Sequence, residues 1–261
     1  MIRLVAIDVD GTLLNSRHEV TRATAEAIDR VRRAGVDVVL ATSRPPRALW
    51  PILERLDLVE PAVFIASQGA LTGRYSADGR LRIIERHPMP VALAQQVAVA
   101  GATAGMSVNW YAAERWLVPH IDDRIRVEAA IVGCAPDVAD LSAETDGPDK
   151  LLLLADALDI TDVVTVPEGL VALASTRTHL EIARADVDKG EALRRVCALR
   201  GIAPGQVAAV GDGRNDLAML AFAGMGVAPA NAHPAVRASA DLITASNDED
   251  GVADALDRLV P

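Results

Sequence analysis

Residues 4–14 read LVAIDVDGTLL, a short apolar run that is followed at once by two carboxylates, a glycine and a threonine. Four apolar residues in succession, with β-branched side chains at Val5 and Ile7, are typical of a buried β-strand. Asp8 is the first polar residue after this run, and Asp10 follows two positions later. The stretch therefore predicts a buried strand whose carboxyl end carries polar side chains.

Both ends of the chain alternate short apolar runs with segments that carry apolar residues at helical spacing. Strands are predicted at residues 4–7, 36–40, 62–66, 207–210 and 225–227. Helices are predicted at residues 25–34, 46–56 and 189–200, from residue 215 onward, and at 252–259. Strands that alternate with helices favour βαβ units and a parallel sheet.

The middle of the chain has a different pattern. Further strands are predicted at residues 81–84, 107–111, 116–118, 150–154, 170–174 and 179–182, with helices at 91–104 and 123–133. This α+β block favours a largely antiparallel sheet. We therefore predict an α/β fold with a doubly wound, Rossmann-like parallel-sheet core at residues 1–82 and 184–261. An α+β domain is inserted at residues 83–183.

The composition argues against two classes of partner. The 261-residue chain has 26 basic and 36 acidic residues, a formal net charge of −10 and only 3% aromatic residues. No basic excess is present to release counterions from nucleic acid or to bind anionic lipid. Few aromatic rings are available to stack on bases. We therefore expect neither nucleic-acid nor membrane partners.

The same sequence indicates a cytoplasmic protein. The longest apolar run, residues 217–223, is too short for a membrane span, and Asp8 and Asp10 interrupt the run that a signal peptide would need. Two cysteines, Cys134 and Cys197, are too few for a disulfide framework. We expect a monomer or a homodimer in a reducing compartment.

Polar residues follow several of the predicted strands. In a doubly wound sheet, ligands bind beyond the carboxyl ends of the strands, so these residues form the shortlist for a site. The shortlist is Asp8, Asp10, Gly11, Thr12, Thr42, Ser43, Arg44, Gly211, Asp212, Gly213, Asn215 and Asp216, joined by Lys189 at the start of a predicted helix.

Three or four carboxylates would then converge on one edge of the sheet. Two like charges about 4 Å apart repel by roughly 4 kcal/mol at an effective dielectric constant of about 20. Such a cluster is reasonable only with a cation, and all-oxygen ligands favour a hard divalent ion, for which Mg²⁺ is the prediction. Lys189 would add a compact ammonium; the chain has only two lysines, Lys150 and Lys189, among its 26 basic residues.

These residues resemble four motifs of the haloacid dehalogenase-like phosphatases. The motifs are the Asp8–Leu13 stretch DVDGTL, Thr42-Ser43-Arg44, Lys189-Gly190 and the Gly211–Asp216 stretch GDGRND, in that order along the chain. The inserted block is similar in size and position to the type-IIB cap of the Cof-type subfamily. The C-terminal stretch at residues 240–252 is Cof-like as well. The resemblance implies hydrolysis of a phosphate ester through an aspartyl-phosphate.

The resemblance also implies the catalytic and metal-binding roles. Asp8 would be the nucleophile, and Asp10 would protonate the leaving alkoxide and then take a proton from the hydrolytic water. Mg²⁺ would be bound by Asp8, the backbone carbonyl of Asp10 and Asp212, with Asp216 in support. Lys189 would bridge Asp8 and the phosphate, so that positive charge offsets the repulsion between two anions.

The remaining implied roles concern the phosphate and the leaving group. Thr42, Asn215 and the backbone amides of Val9 and Ser43 would hold phosphate oxygens. Arg44 would contact the leaving group. The alternative is that Arg44 forms a salt bridge at the surface. The inserted domain would act as a lid that excludes water and selects the leaving group.

Three positions depart from the family pattern. Ser43 stands where glycine is usual, Gln68 stands where asparagine is expected, and Pro229 stands where methionine is common. None of the three is a proposed catalytic carboxylate. The departures therefore bear on substrate details and not on the type of reaction.

Two other functions stay open on the sequence alone. A phosphomutase of the phosphomannomutase type resembles this core and cap, and it would need a bisphosphate activator and release little inorganic phosphate. A non-enzymatic, receiver-like phosphate-binding module would be one short domain with its phosphorylated aspartate after the third strand. Here Ser67 follows that strand, and about 100 residues are inserted. The leading prediction is a Mg²⁺-dependent phosphatase acting on a sugar phosphate or a phospho-acid.

Overall fold

A computed structural model of the chain describes residues 1–60, 62–156, 164–174 and 177–260. The chain divides into two units. The core unit comprises Met1–Ser43, Trp50–Ile84 and Asp188–Pro261, and the inserted unit comprises Arg44–Leu49 and Glu85–Val187. The predicted ranges, 1–82 with 184–261 and 83–183, differ from this division by a few residues at each junction and by the segment Arg44–Leu49. That the two ranges are separate functional domains stays a prediction.

An eight-stranded sheet lies in the core unit. Its strands, in spatial order, are β14 (Leu242–Thr244), β13 (Met225–Pro229), β12 (Val207–Val210), β1 (Leu4–Ile7), β2 (Asp37–Ala41), β3 (Phe64–Ala66), β4 (Leu71–Tyr75) and β5 (Leu81–Arg86). Every neighbouring pair from β14 to β3 is parallel, whereas β4 is antiparallel to β3. Numbered along the chain, the six parallel strands have the order 3-2-1-4-5-6, which reverses between β1 and β12. The predicted doubly wound parallel sheet is confirmed.

The helices that accompany this sheet agree with the sequence pattern. They are α1 (Arg22–Arg33), α2 (Pro46–Arg55), α5 (Lys189–Arg200), α6 (Leu217–Phe222), α7 (Pro234–Ser239) and α8 (Gly251–Leu259). Helix α1 begins because the Thr21 side chain accepts a hydrogen bond from the Thr24 amide, and it buries Ile28 and Val31 on one face. Burial of each of these two side chains stabilises the fold by about 1.5–3 kcal/mol.

Helix α5 begins and ends where the sequence predicts. Asp188 caps its first turn by accepting a hydrogen bond from the Glu191 amide at 2.7 Å, and Gly201 ends it in a left-handed conformation. Lys189 is the first helical residue, and its side chain is fully buried. The cap therefore fixes the direction from which the Lys189 ammonium enters the protein interior.

A second, six-stranded sheet lies in the inserted unit. Its spatial order is β10 (Leu170–Ala174), β11 (His179–Arg184), β9 (Lys150–Leu154), β6 (Ser107–Ala112), β7 (Arg115–Val118) and β8 (Asp137–Val138). All neighbouring pairs are antiparallel except β7 and β8. Helices α3 (Val91–Thr103) and α4 (Asp123–Val132) pack on opposite faces, because Trp110 clusters with α3 while Tyr111 clusters with α4. The predicted largely antiparallel sheet is confirmed.

Three elements differ from the prediction. Strand β5 is an outer strand of the core sheet, whereas the sequence pattern placed it in the middle block. Its neighbour β4 was not predicted, since Gly73 in its interior weakens the strand pattern; a Cβ at Gly73 would lie 3.1 Å from Leu81. The helix predicted from residue 215 is a 3-10 turn at Arg214–Asp216 before α6 begins.

Helix α7 and strands β8 and β14 were also missed. They contain six, two and three residues respectively, which is too few to show a periodic pattern. None of the helices in the described part of the chain combines the length and the apolar character needed to cross a bilayer.

The inserted unit contains a buried acid whose environment has a measurable consequence. Asp149 accepts hydrogen bonds from Nε of Arg86 at 2.6 Å and from the Ala113 amide at 2.7 Å, and it is buried. Burial raises the pKa of Asp149 to about 6 and outweighs the neighbouring Arg86, which lowers it. The ionised carboxylate is therefore less stable in the folded protein than in the unfolded chain.

Asp149→Asn is expected to remove a pH-dependent loss of stability. A folded-state pKa above the ordinary 3.8 means that the folded protein holds the proton more tightly, so stability falls as the pH rises from about 4 to about 6. At about 1.4 kcal/mol per pKa unit, the whole change is about 3 kcal/mol. Urea unfolding at pH values of about 4 and 7 should show the variant gaining about that amount relative to the wild type. A difference that stays constant with pH would contradict this account.

Candidate active site

The candidate site lies where the strand order of the core sheet reverses. Strands β1 and β12 are neighbours, with Ile7 opposite Val210, and the Asp8 amide donates to the Val210 carbonyl at 2.9 Å. Asp8 follows β1 directly, and Asp212 comes two residues after β12. Chains leave β1 and β12 in opposite directions, which opens a crevice at this point in doubly wound sheets.

Three carboxylates meet at this crevice. One oxygen from each of Asp8, Asp212 and Asp216 lies within 4.8 Å of the others. Asp8 is 4% exposed and Asp216 is fully buried. Because water screens these charges poorly, their mutual repulsion opposes folding unless a positive charge lies among them.

Lys189 supplies one positive charge. Its Nζ donates to Oδ1 of Asp8 at 2.6 Å and to Oδ1 of Asp216 at 2.7 Å. Burial alone would lower the pKa of Lys189, but Asp216 and Asp8 outweigh burial and raise it, so the ammonium stays charged. One ammonium against three carboxylates leaves the cluster with a formal excess of two negative charges.

The excess negative charge of the cluster contributes to raised pKa values of its carboxyl groups. Burial, followed by the charge of Asp216, raises the pKa of Asp8 well above its ordinary value, and Lys189 only partly offsets the rise. Burial and Asp216 also raise the pKa of Asp212. A group of carboxylate oxygens with surplus negative charge matches the donor set that Mg²⁺ prefers. The residues present therefore fit a divalent cation.

Close approach of two loops holds these carboxylates in place. Gly11 has a φ of +80°, and a Cβ there would lie 2.5 Å from Oδ2 of Asp212, so only glycine fits. The Thr12 hydroxyl donates to Oδ1 of Asp212 at 2.9 Å. Oδ2 of Asp216 accepts from the amides of Asp212 at 3.0 Å and Gly213 at 2.9 Å.

Residues predicted to bind phosphate lie at the ends of neighbouring strands. Val9 and Thr42 are buried, and Ser43 is half-buried directly after Thr42. The Thr42 amide donates to the Ile65 carbonyl at 2.9 Å, which extends the pairing between β2 and β3. Each role in phosphate binding stays a prediction, although these residues follow β1 and β2 at the same edge as the carboxylates.

Two other predicted residues stand apart from the carboxylate cluster. The Asp10 side chain is half-buried and is not one of the three clustered carboxylates; the ligand predicted from Asp10 is its backbone carbonyl. Arg44 is half-buried and groups with the inserted unit. Its contact with the leaving group stays a prediction.

Side-chain amides also contact these loops. Nδ2 of Asn215 donates to Oε1 of Gln68 at 3.1 Å, and Nδ2 of Asn231 donates to the Gly11 carbonyl at 2.8 Å. The amide of His233 donates to the Asp212 carbonyl at 2.9 Å. Asn231 and His233 thus link the Gly11 and Asp212 loops. Neither residue was predicted as part of the site. Their position just after β13, at the same sheet edge as the carboxylates, is the sequence signal that could have identified them.

Comparison with known proteins agrees with this geometry. A family model described as haloacid dehalogenase-like hydrolase matches residues 5–256, nearly the whole chain. The chain belongs to the haloacid dehalogenase-like hydrolases. The parallel core sheet and the inserted, largely antiparallel sheet are those that the resemblance to Cof-type, type-IIB members implies.

Relatives of this haloacid dehalogenase-like hydrolase cover its full length. A putative phosphatase of Bacillus subtilis, YxeH, is 30% identical over 271 residues, which is 100% of this chain and 99% of the relative. A haloacid dehalogenase-like hydrolase from Bacteroides thetaiotaomicron superposes with a TM-score of 0.89 at 28% identity, covering 99% of this chain and 100% of that one. The fold is also that of a subclass IIB sugar phosphatase, BT4131, with a TM-score of 0.84 at 20% identity over 98% of each chain.

Membership establishes the reaction class. The protein is a phosphatase, a phosphoric monoester hydrolase, and the family acts on small phosphorylated metabolites. The predicted family, fold class and enzyme class are therefore confirmed. Metal dependence is general in this family, and Asp8, Asp212 and Asp216 form a cluster that could hold a metal ion.

Proposed function

We propose that this chain is a Mg²⁺-dependent phosphatase that hydrolyses a sugar phosphate or a phospho-acid through an aspartyl-phosphate on Asp8. The observation that carries the proposal is the Asp8 carboxylate itself. It lies at the reversal point of the sheet, is held by the Lys189 ammonium at 2.6 Å, and neighbours two further carboxylates. A fixed, desolvated oxygen beside a cation is a suitable nucleophile for a phosphate ester.

The first half of the reaction transfers the phosphoryl group to the enzyme. One Oδ of Asp8 attacks phosphorus, and the bond between phosphorus and the leaving alkoxide oxygen breaks. Asp10 gives its proton to that alkoxide, so the alcohol leaves uncharged. Lys189 stays hydrogen-bonded to Asp8 and balances part of the charge carried by the phosphoryl oxygens.

The second half regenerates Asp8. Asp10, now ionised, takes a proton from a water molecule whose oxygen attacks phosphorus. The bond between phosphorus and the Asp8 oxygen breaks, which releases inorganic phosphate and restores the carboxylate. Asp10 therefore ends protonated, as it began, and one carboxyl group serves both steps in alternate protonation states.

Asp8, the backbone carbonyl of Asp10, Asp212 and Asp216 would hold the magnesium ion. When bound, the ion withdraws charge from the phosphoryl oxygens. The fit rests on the donor chemistry: oxygen ligands only, with more negative charge than Lys189 neutralises. The Thr12 hydroxyl orients Asp212 and the Gly213 amide orients Asp216, each through a hydrogen bond to a carboxylate oxygen.

The phosphate would be held by the amides of Val9 and Ser43, the Thr42 hydroxyl and the Asn215 side chain. Arg44 would contact the leaving group. We assign choice of the leaving group to the inserted domain at residues 83–183, on the sequence grounds given above. A cytoplasmic location and a monomeric or homodimeric state belong to the same proposal.

Phosphate release from a panel of sugar phosphates, phospho-acids and nucleotides tests the proposal. We expect release from a narrow subset with Mg²⁺, and a loss of at least about 100-fold with EDTA, because the carboxylates then repel the substrate. Release that is undiminished by EDTA would contradict the metal requirement. Isomerisation of hexose phosphates on addition of a bisphosphate, with little phosphate release, would favour the mutase instead.

A further inference from the structure

The turn that follows β3 has an unfavourable backbone. Ser67, Gln68 and Gly69 have φ values of +50°, +60° and +100°, and only the third is glycine. Side chains with a Cβ disfavour this left-handed region, so two such residues in succession persist only where the surroundings fix them. Within the described residues, the buried Ser67 hydroxyl also has no hydrogen-bond partner. The conformation of this turn therefore lowers the stability of the folded protein.

Contacts from three loops hold this turn. The Gln68 amide donates to the Thr42 carbonyl at 3.1 Å, which ties the turn to the end of β2. A Cβ at Gly69 would overlap the Asp188 carbonyl, so the turn lies directly against the start of α5. The third contact is the bond from Asn215 Nδ2 to Gln68 Oε1 at 3.1 Å. The turn thus contacts the three segments that carry Thr42, Lys189 and Asn215.

The Gln68 side chain fixes the orientation of the Asn215 amide. Gln68 is only 5% exposed, so its Oε1 is a defined acceptor. Oδ1 of Asn215 lies against Gly213, at a position that a Cβ of Gly213 would overlap. With Oδ1 placed there and one N–H bonded to Gln68, the second N–H of Asn215 has a single direction left.

We propose that Gln68 is a positioning residue that holds Asn215 ready to donate its second N–H to a phosphate oxygen. The inference rests on the proposed function, in which Asn215 binds phosphate. The strained turn supplies the position of Gln68, and the Gln68 amide oxygen transmits that position to Asn215. Gln68 itself need not touch the substrate.

Gln68→Gly separates positioning from a structural role. Glycine adopts a φ of +60° without steric cost, so the variant keeps or gains thermal stability while losing the acceptor for Asn215. A residue that serves only the fold would show the opposite pattern, with lower stability and normal turnover. Gln206→Ala is the matched control, since Oε1 of Gln206 is also a hydrogen-bond acceptor, from the backbone amide of Ala203 at 3.2 Å, at the other end of β12.

The experiment compares the wild type, Gln68→Gly, Asn215→Ala and the double variant with p-nitrophenyl phosphate and Mg²⁺. Loss of one oriented hydrogen bond should lower kcat/KM about five- to tenfold in Gln68→Gly, and more in Asn215→Ala. The double variant should fall no more than about twofold below Asn215→Ala, because Gln68 acts only through Asn215. Binding of inorganic phosphate, read as a shift in Tm, should weaken in the same order.

The inference would be overturned if the decreases in kcat/KM of the two single variants multiplied in the double variant. It would also be overturned if Gln68→Gly kept the wild-type kcat/KM and the wild-type phosphate binding. Failure of the proposed function is distinguishable. A wild type that releases no phosphate from any substrate contradicts the proposed function, and the phosphate-binding shift then decides on Gln68 alone. A wild type that does not bind inorganic phosphate overturns both.

Discussion

Asp8→Asn is expected to abolish phosphate release, by about 10⁴-fold or more, while the protein stays folded. The amide has nearly the shape of the carboxylate but is not a nucleophile toward phosphorus, so the aspartyl-phosphate cannot form. Losses of this size are usual when the attacking group of a covalent mechanism is removed. Single-turnover and steady-state phosphate release with saturating Mg²⁺ measure the effect.

Stability supplies the second readout for Asp8→Asn. The Asp8 carboxylate is buried beside Asp212 and Asp216, so removal of its charge relieves repulsion, and Lys189 keeps its bond to Asp216 at 2.7 Å. In EDTA the variant should therefore unfold at the wild-type urea concentration or a higher one. Added Mg²⁺ should stabilise it less than the wild type, because one ligand oxygen has lost its charge.

Asp257→Asn is the matched control for this prediction. Asp257 forms an exposed ion pair with Arg30 at 2.6 Å, so its loss should cost less than about 1 kcal/mol and leave turnover unchanged. If Asp8→Asn kept more than about one per cent of the wild-type rate, another group would have to be the nucleophile.

The sequence predicted the central part of the site because parallel strands share one carboxyl edge. Asp8 and Asp212 follow β1 and β12, and once these strands are neighbours their carboxylates must lie close together. The position of Lys189 could be predicted because α5 begins directly after its N-cap residue, Asp188. Local patterns of strand, cap and glycine were sufficient for these residues.

The Gln68 contact could not be predicted in the same way. Gln68 and Asn215 are 147 positions apart, and no periodic pattern connects them. The direction of the Gln68 side chain depends on a left-handed backbone that the sequence signals poorly, since Gln is not a residue that favours it. Strand β5 was misassigned for a related reason, because sheet membership depends on a distant partner and not on the strand's own residues.

Lys189→Met is expected to destabilise the protein by about 3–5 kcal/mol in EDTA and to lower turnover by about 10³-fold or more. The ammonium is fully buried between Asp8 and Asp216, and its removal leaves their charges in the interior without compensation. Methionine fills a similar volume, so the loss reports on charge and not on a cavity. Urea unfolding in EDTA and in Mg²⁺, with turnover on the best substrate, measures both effects.

Magnesium should restore much of the lost stability in Lys189→Met. With the ammonium gone, a divalent cation at Asp8, Asp212 and Asp216 neutralises charges that nothing else offsets. The difference in unfolding free energy between Mg²⁺ and EDTA should therefore be larger in the variant than in the wild type. Turnover should not recover, because the bound ion does not replace the charge that bridges Asp8 and the phosphate.

Lys150→Met is the control that isolates this effect. Lys150 is the other lysine, and it is also buried, with Glu181 at 3.4 Å and the Tyr111 ring at 5.4 Å, but it lies in the inserted unit. The Lys150→Met variant should lose a similar amount of stability. Its response to Mg²⁺ should be the same as that of the wild type. An unchanged Mg²⁺ response in Lys189→Met as well would mean that Lys189 and the metal do not share the carboxylates. Because both variants remove a buried ammonium, only proximity to Asp8, Asp212 and Asp216 can make their responses to Mg²⁺ differ.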